Sequence, residues 1–179
     1  MKTAYPLVLA ILLLAAAPQM ALAQSGAESA NTVTTSLQGL HDITAGNILQ
    51  TAEMLDDEMY MYQPTDEVRS AGQILAHIAG AQFLFCSVAA DEENPSGENF
   101  EETATAKSDI VAALQSGFDY CGTVYDAMTD DHGAEMRNLF GMEMAASAVL
   151  AFNSAHNYEH YGNLVTYMRM NDLVPPSSQ

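Results

Sequence analysis

The stretch Val149–Met170, VLAFNSAHNYEHYGNLVTYMRM, decides the fold. Val149, Phe152/Asn153, His156, His160, Asn163/Leu164, Tyr167 and Met170 recur at steps of three or four, which marks one face of a helix predicted from about Met142 to Asn171. His156 and His160 both fall on that inward face. Residues four apart stand one above the other, with Cβ atoms about 5–6 Å apart, so two imidazoles can reach one ion. A third imidazole from a facing helix completes a three-nitrogen, one-faced site that leaves positions open for water or substrate. His77, in Leu75-Ala76-His77-Ile78-Ala79, is the candidate third ligand.

Three more helices read outward from this one. Leu37, Leu40, Thr44, Ile48, Ala52, Leu55, Met59 and Tyr62 form a stripe that stops before Pro64. Ser70 opens the second helix, with Gln73 completing a capping box. Ile74, Ile78, Phe85 and Val88 form its apolar face, and the helix ends near Ala90. A third helix, from about Thr103 to Thr129, carries Ile110, Leu114, Phe118, Cys121, Tyr125 and Met128 on one stripe. Asp91 to Glu102 is an acidic connector broken by Pro95 and Gly97. Asp130 to Gly141 reads as a loop, and Pro175-Pro176 as the end of ordered structure. No segment reads as a strand. The fold class is therefore all-α, a four-helix bundle.

The N-terminus reads as an address. Lys2 precedes an apolar run, Leu7 to Ala17, only about half the ~20 residues a spanning helix needs. Pro18 breaks the run, and Ala21-Leu22-Ala23 is an A-x-A cleavage site. The predicted division is a signal peptide over 1–23 cut between Ala23 and Gln24, a mobile segment over 24–34, a bundle over 35–174 and a tail over 175–179. The product is exported, periplasmic or secreted, with no membrane anchor after cleavage. Losing Lys2 leaves four basic residues against 23 acidic ones, a charge one unit more negative than the −18 of the full chain. Such a surface repels phosphate backbones, which excludes nucleic acid as a partner.

Cys86 and Cys121 are the two cysteines. Export into an oxidising compartment invites a disulfide between them. Each lies roughly 25 Å down its helix at 1.5 Å per residue. They are level only if the second and third helices run parallel. The twelve-residue connector Asp91 to Glu102 spans up to about 40 Å, enough for that crossing. The cysteine levels, given a disulfide, and the long connector thus agree on an up-down-down-up topology.

Pro64-Thr65-Asp66-Glu67-Val68-Arg69-Ser70, His77-Ile78-Ala79, Phe152-Asn153-Ser154-Ala155-His156, His160-Tyr161-Gly162, Tyr167-Met168-Arg169 and Val174-Pro175-Pro176 together resemble the DinB-like superfamily. The resemblance implies an up-down-down-up bundle and a divalent metal ion, most often zinc or nickel, on His77, His156 and His160. Some relatives are transferases or isomerases that use a bacterial low-molecular-weight thiol. An export signal departs from that pattern, since an oxidising compartment suits a thiol cofactor poorly. The expected function is a metal-dependent enzyme, hydrolase- or transferase-like, acting on a small molecule. The alternatives are a non-catalytic exported metal-binding or stress-response module, or an interaction scaffold with a structural metal. A homodimer is compatible with any of these.

Other residues have blander readings beside the functional ones. Asn153, one turn before His156, is a candidate to orient a ligand or touch substrate, against a packing amide. Glu159 points about 100° away from His160 and reads as solvated. His41 adjoins the inner stripe of the first helix as a candidate fourth ligand, and His132 reads as an exposed loop residue. Met59/Met61, Met142/Met144 and Met168/Met170 bring copper(I) to mind. However, residues two apart do not share a helix face, so flexible core filling is the better reading.

Overall fold

The computed structural model describes Met1 and residues 31–179. The predicted signal peptide beyond Met1, the predicted cleavage site and most of the predicted 24–34 segment lie outside the described residues. In chain order the elements are α1 (Thr32–Met54), α2 (Asp57–Met61), α3 (Ala71–Ala90), α4 (Phe100–Thr103), α5 (Lys107–Ala127), α6 (Asp130–Gly133), β1 (Met136–Leu139), β2 (Met142–Ala145) and α7 (Ala146–Met170), then a 3-10 turn at Pro176–Ser178. The chain is mostly helical, and α1, α3, α5 and α7 are its long helices.

Helix α3 is the centre. It packs on α5 and α7 and is touched by α2, α4 and β1. Fourteen of its residues are buried, among them Leu75, Ile78, Ala79 and Cys86. Among the described residues it alone is long and apolar enough to cross a membrane, but two thirds of that stretch is covered by the protein's other helices. Its start is fixed by the predicted capping box. Ser70 Oγ accepts from Gln73 N–H, and Gln73 Oε1 accepts from Ser70 N–H at 2.9 Å.

Contacts fix the helix directions pair by pair. Gly72 lies against Ile110, Gly117 lies against Ala79, and Cys86 is disulfide-bonded to Cys121 with Cα atoms 5.3 Å apart. Both partners advance together, so α3 and α5 run the same way. Helix α7 runs against α3, since His77 meets His156 and Phe85 meets Phe152. Helix α1 runs against α5. Lys107 Nζ donates to the carbonyls of Glu53 and Leu55 at 2.8 and 2.6 Å, while Gln38 bonds Asp126 at the other end.

The core has two apolar halves. One gathers Ile48, Leu55, Leu75, Ile78, Leu114 and Leu164. The other surrounds the disulfide with Phe85, Tyr125, Leu139, Val149 and Leu150. The predicted α5 stripe is buried throughout, from Ile110 to Met128.

The structure corrects several expectations. The first helix is not continuous, because Leu55 is extended and Asp56 caps α2 by accepting from Met59 N–H at 2.9 Å. The face of α1 is also turned slightly. Leu40 is exposed and His41 takes the inward place. The predicted third helix is interrupted between α4 and α5, and the start predicted for the fourth at Met142 is a strand instead. The segment expected as a loop contains the antiparallel hairpin β1–β2, with Met136 opposite Ala145 and Leu139 opposite Met142. Its two-residue turn is Phe140-Gly141, both at positive φ (54° and 83°), the primed turn that suits a hairpin's twist. Asn138 Oδ1 accepts from Gly141 N–H at 3.1 Å and pins that turn. The tail after Pro175 is ordered too. Pro176 is buried, and Ser177 N–H donates to Tyr161 Oη at 3.0 Å.

Two stability tests follow from this packing. A Cβ on Gly117 would lie 2.9 Å from the Ala79 carbonyl oxygen, whereas one on Gly122 meets nothing within 4 Å. Gly117→Ala is expected to cost about 1–3 kcal/mol by overpacking. Gly122→Ala is expected to gain about 0.5–1 kcal/mol from helix propensity, with urea denaturation as the measurement. The disulfide joins cysteines 35 residues apart. Cys86→Ala with Cys121→Ala is expected to lower stability by about 2–4 kcal/mol, and alkylation of the wild type should add mass only after reduction.

Candidate metal centre

The three histidines picked out by spacing come together. His77 projects from α3, and His156 and His160 project from successive turns of α7. His77 Nε2 and His160 Nε2 each lie 3.1 Å from His156 Nε2. One nitrogen from each ring lies within 4.8 Å of the other two. Metal–nitrogen bonds of about 2.0–2.1 Å at near-tetrahedral or right angles hold nitrogens about 2.9–3.4 Å apart, so the observed separations fit three ligands of one ion. The donor set, three imidazole nitrogens and no thiolate, suits zinc, nickel, copper or iron.

Electrostatics favours lone pairs at this spot. Burial pushes the His156 pKa down to about 3, helped by the neighbouring His160, His77 and Arg69. Burial also lowers that of His160, with His77 the next cause. Both rings therefore stay neutral, the form in which imidazole binds a metal.

A carboxylate that the sequence does not single out joins the site. Glu101 Oε1 lies 2.7 Å from His77 Nδ1. A proton on Nδ1, donated to that carboxylate, leaves the Nε2 lone pair facing the other two rings. Arg69 donates from Nε to Glu101 Oε2 at 2.8 Å and from its terminal nitrogen to Oε1 at 3.2 Å. Burial raises the Glu101 pKa, but the bonds from Arg69 and His77 outweigh it, and the net shift is downward. Glu101 belongs to α4, seated by Phe100, whose ring packs 5.9 Å from that of Phe83 on α3. Arg69 is held because Tyr167 Oη donates to its carbonyl at 3.0 Å, just before the Ser70 cap. The signal available in sequence was an acidic connector with a phenylalanine inside it, which does not reveal which of its carboxylates turns inward.

Two clefts reach the histidines. One, of about 520 Å³, is bordered by His77, His156, Glu101 and several phenylalanines. The other, of about 610 Å³, is polar and bordered by His160, Arg69, Gln73, Glu159 and Asn163.

The remaining candidates sort differently. Asn153 does not orient a histidine through any of its bonds. Its Nδ2 donates to Gln82 Oε1 at 3.1 Å and approaches Cys121 Sγ at 3.2 Å. It lies one turn deeper than His156 and is fully buried, so it is a packing amide of the core. Glu159 is exposed on the rim of the polar cleft, and His132 is exposed in α6. Met59 and Met168 are buried while Met61 and Met170 are exposed, so those pairs split across faces. His41 is no fourth ligand. Its ring lies against Tyr125 and Phe118, at centroid distances of 4.4 and 5.7 Å, in the core.

Burial lowers the His41 pKa from 6.5, against the opposing pull of Asp42. Above that value folded and unfolded chains are both neutral here. Below it the unfolded chain takes a proton that the folded one refuses, so stability falls as pH drops. Metal-free protein is expected to show urea midpoints that decline below about pH 6.5, and His41→Leu to show a shallower decline between pH 7.5 and 5.

Among known proteins, a family model described as the DinB superfamily matches residues 40–164. The protein YjoA of Bacillus subtilis (strain 168) is 25% identical over 124 residues, covering 67% of this chain and 79% of its own. The crystal structure of that DinB-like protein superposes with a TM-score of 0.62 at 19% identity, covering 83% of this chain and 97% of that one. A DinB-like protein from Bacillus cereus ATCC 10987 superposes with a TM-score of 0.69 at 17% identity, over 79% and 95% of the two chains. A mycothiol-dependent maleylpyruvate isomerase superposes with a TM-score of 0.62 at 14% identity, covering 73% of this chain and 60% of its own. With a family model matched over well over half of its length, the chain belongs to the DinB superfamily.

Proposed function

We propose that this protein is an exported metal-dependent enzyme. It holds one divalent ion, zinc or nickel, on the Nε2 atoms of His77, His156 and His160, in an up-down-down-up four-helix bundle. The observation that carries the reading is the convergence of three imidazoles, two of them at 3.1 Å from the third, with one ring held by a carboxylate. The parallel course of α3 and α5 and the antiparallel course of α7 against α3 support the bundle topology. The Cys86–Cys121 disulfide supports export to an oxidising compartment.

An ion held there supplies Lewis acidity and open positions for a substrate donor atom. The chain's own residues do the rest. Glu101 fixes the His77 tautomer and ring plane, and Arg69 holds Glu101 ionised. The α7 backbone fixes His156 and His160 relative to each other. Clefts on two sides of the histidines favour substrate access over a closed structural staple. A hydrolase- or transferase-like reaction on a small molecule follows. Thiol-dependent isomerisation, the activity of one structural neighbour, fits poorly beside a disulfide in the same core.

Metal analysis of tag-free protein tests this. About one ion per chain is expected, and less than a third of an ion, unaltered in His156→Ala, overturns the reading. Glu101→Gln is expected to weaken metal affinity about 10–100-fold, measured by chelator competition, while leaving the fold intact by circular dichroism.

A further inference from the structure

The cleft beside His77 and His156 is unlike the polar one across the site. Four phenylalanines stand in its walls, beside small residues and Asn94 and Asn99. Phe85 lies at the hub, with Phe152, His156 and Phe140 presented edge-to-face at 5.3, 5.2 and 6.2 Å. Phe100 closes another side. Two of these rings are costly where they stand. Phe152 is 41% exposed and Phe140 is 65% exposed, large apolar surfaces with no protein over them. Phe140 also sits at φ 54°, the first turn position of the hairpin, where asparagine, aspartate or glycine is the unstrained choice. Hairpin formation therefore does not explain a phenylalanine there. Its place at the mouth of a cleft bordered by two of the three histidines does.

Charge narrows the occupant. Among the described residues no lysine or arginine lines this cleft, and its ionisable neighbours besides the histidines are Glu98 and Glu101. An anionic body is repelled, and so is anything that needs a positive partner. The volume, about 520 Å³, lies within the range of small-molecule sites.

We propose that this cleft binds the body of the substrate, an uncharged aromatic or similarly flat apolar group, and that Phe140 of the hairpin is the specificity-determining wall. This rests on the metal-centre reading only for which end of the molecule faces the histidines. Edge-to-face contacts with Phe85, Phe140 and Phe152 recognise the ring, and a donor atom at one end reaches the space between His77 and His156.

The first arm of the test needs no metal. Chelator-treated protein is titrated with the neutral fluorophore N-phenyl-1-naphthylamine. Saturable binding is expected, at least fivefold weaker in Phe140→Asn and in Phe152→Ser. Asparagine suits the left-handed turn, so the hairpin persists. Val33→Ser, at an exposed apolar residue on α1, is expected to bind as the wild type does. A sulfonated anilinonaphthalene is expected to bind at least tenfold more weakly than the neutral dye. Wild-type affinity in both phenylalanine variants, or equal loss in Val33→Ser, overturns the proposal. The second arm uses zinc-loaded protein with benzohydroxamate and acetohydroxamate. A preference of at least tenfold for the ring is expected, falling below threefold in Phe140→Asn with acetohydroxamate affinity unchanged. Normal zinc uptake with no preference for the ring overturns the aromatic site. Absence of zinc uptake overturns the metal-centre reading and leaves the dye titration to decide the cleft.

Discussion

Burial of α3 on nearly all sides is the constraint on which the rest depends. A helix with Leu75, Ile78, Ala79 and Cys86 all fully covered must find partners around most of its circumference. It finds α5 on one side and α7 on another, with α2, α4 and β1 filling gaps. The close parallel approach of α5 is made at Gly117, where an added Cβ would meet the Ala79 carbonyl oxygen at 2.9 Å, while Gly72 admits the Tyr60 carbonyl of α2 equally closely. The disulfide then fastens the same pair further along. Parallel neighbours cannot be joined by a short turn. The acidic connector is long for that reason, and its return path lays α4 and Glu101 across the face that carries His77.

Register between α3 and α7 is set by polar groups inside the core. Gln82 Nε2 donates to Asn157 Oδ1 at 2.7 Å, and Asn153 Nδ2 donates to Gln82 Oε1 at 3.1 Å. All three side chains are fully buried, where an unmade hydrogen bond costs most. Tyr125 Oη donates to the Leu150 carbonyl at 2.8 Å and ties α5 to α7 in the same layer. A slip of α7 by one turn would break this set and carry His156 and His160 out of reach of His77. The polar layer therefore aligns the three histidines without touching them.

The acidic surface bears on function at longer range. A formal charge of −18 raises the local concentration of cations, including a divalent ion in search of ligands. Around the two clefts at the histidines it also disfavours anionic substrates, since Arg69 is the one basic side chain among their described lining and is already paired with Glu101. An uncharged substrate body, as inferred for the phenylalanine-lined cleft, is the chemistry least penalised by that field.

By itself the sequence determined whatever depends on local period. The long helices, the inward face of α5, the Ser70–Gln73 cap and the pairing of His156 with His160 all follow from steps of three or four along one chain segment, whereas Phe152 and Met170 of the stripe predicted for α7 are exposed. The depth of each cysteine along its helix followed from helix rise, but that the two are level depends on the parallel course of α3 and α5. Tertiary structure decided whatever depends on partners distant in the chain. Glu101 is one of a run of acidic residues until α4 docks and turns it to His77, 24 residues away. Asn153 and His41 sit next to inward positions on their helices, and only the neighbouring helices decide that one packs on Gln82 and the other on Tyr125. The β1–β2 hairpin was hidden because its first turn residue is Phe140 rather than asparagine or aspartate. The reason is common to all of these: period is a property of a segment, whereas the direction and protonation of a polar side chain are properties of what it meets.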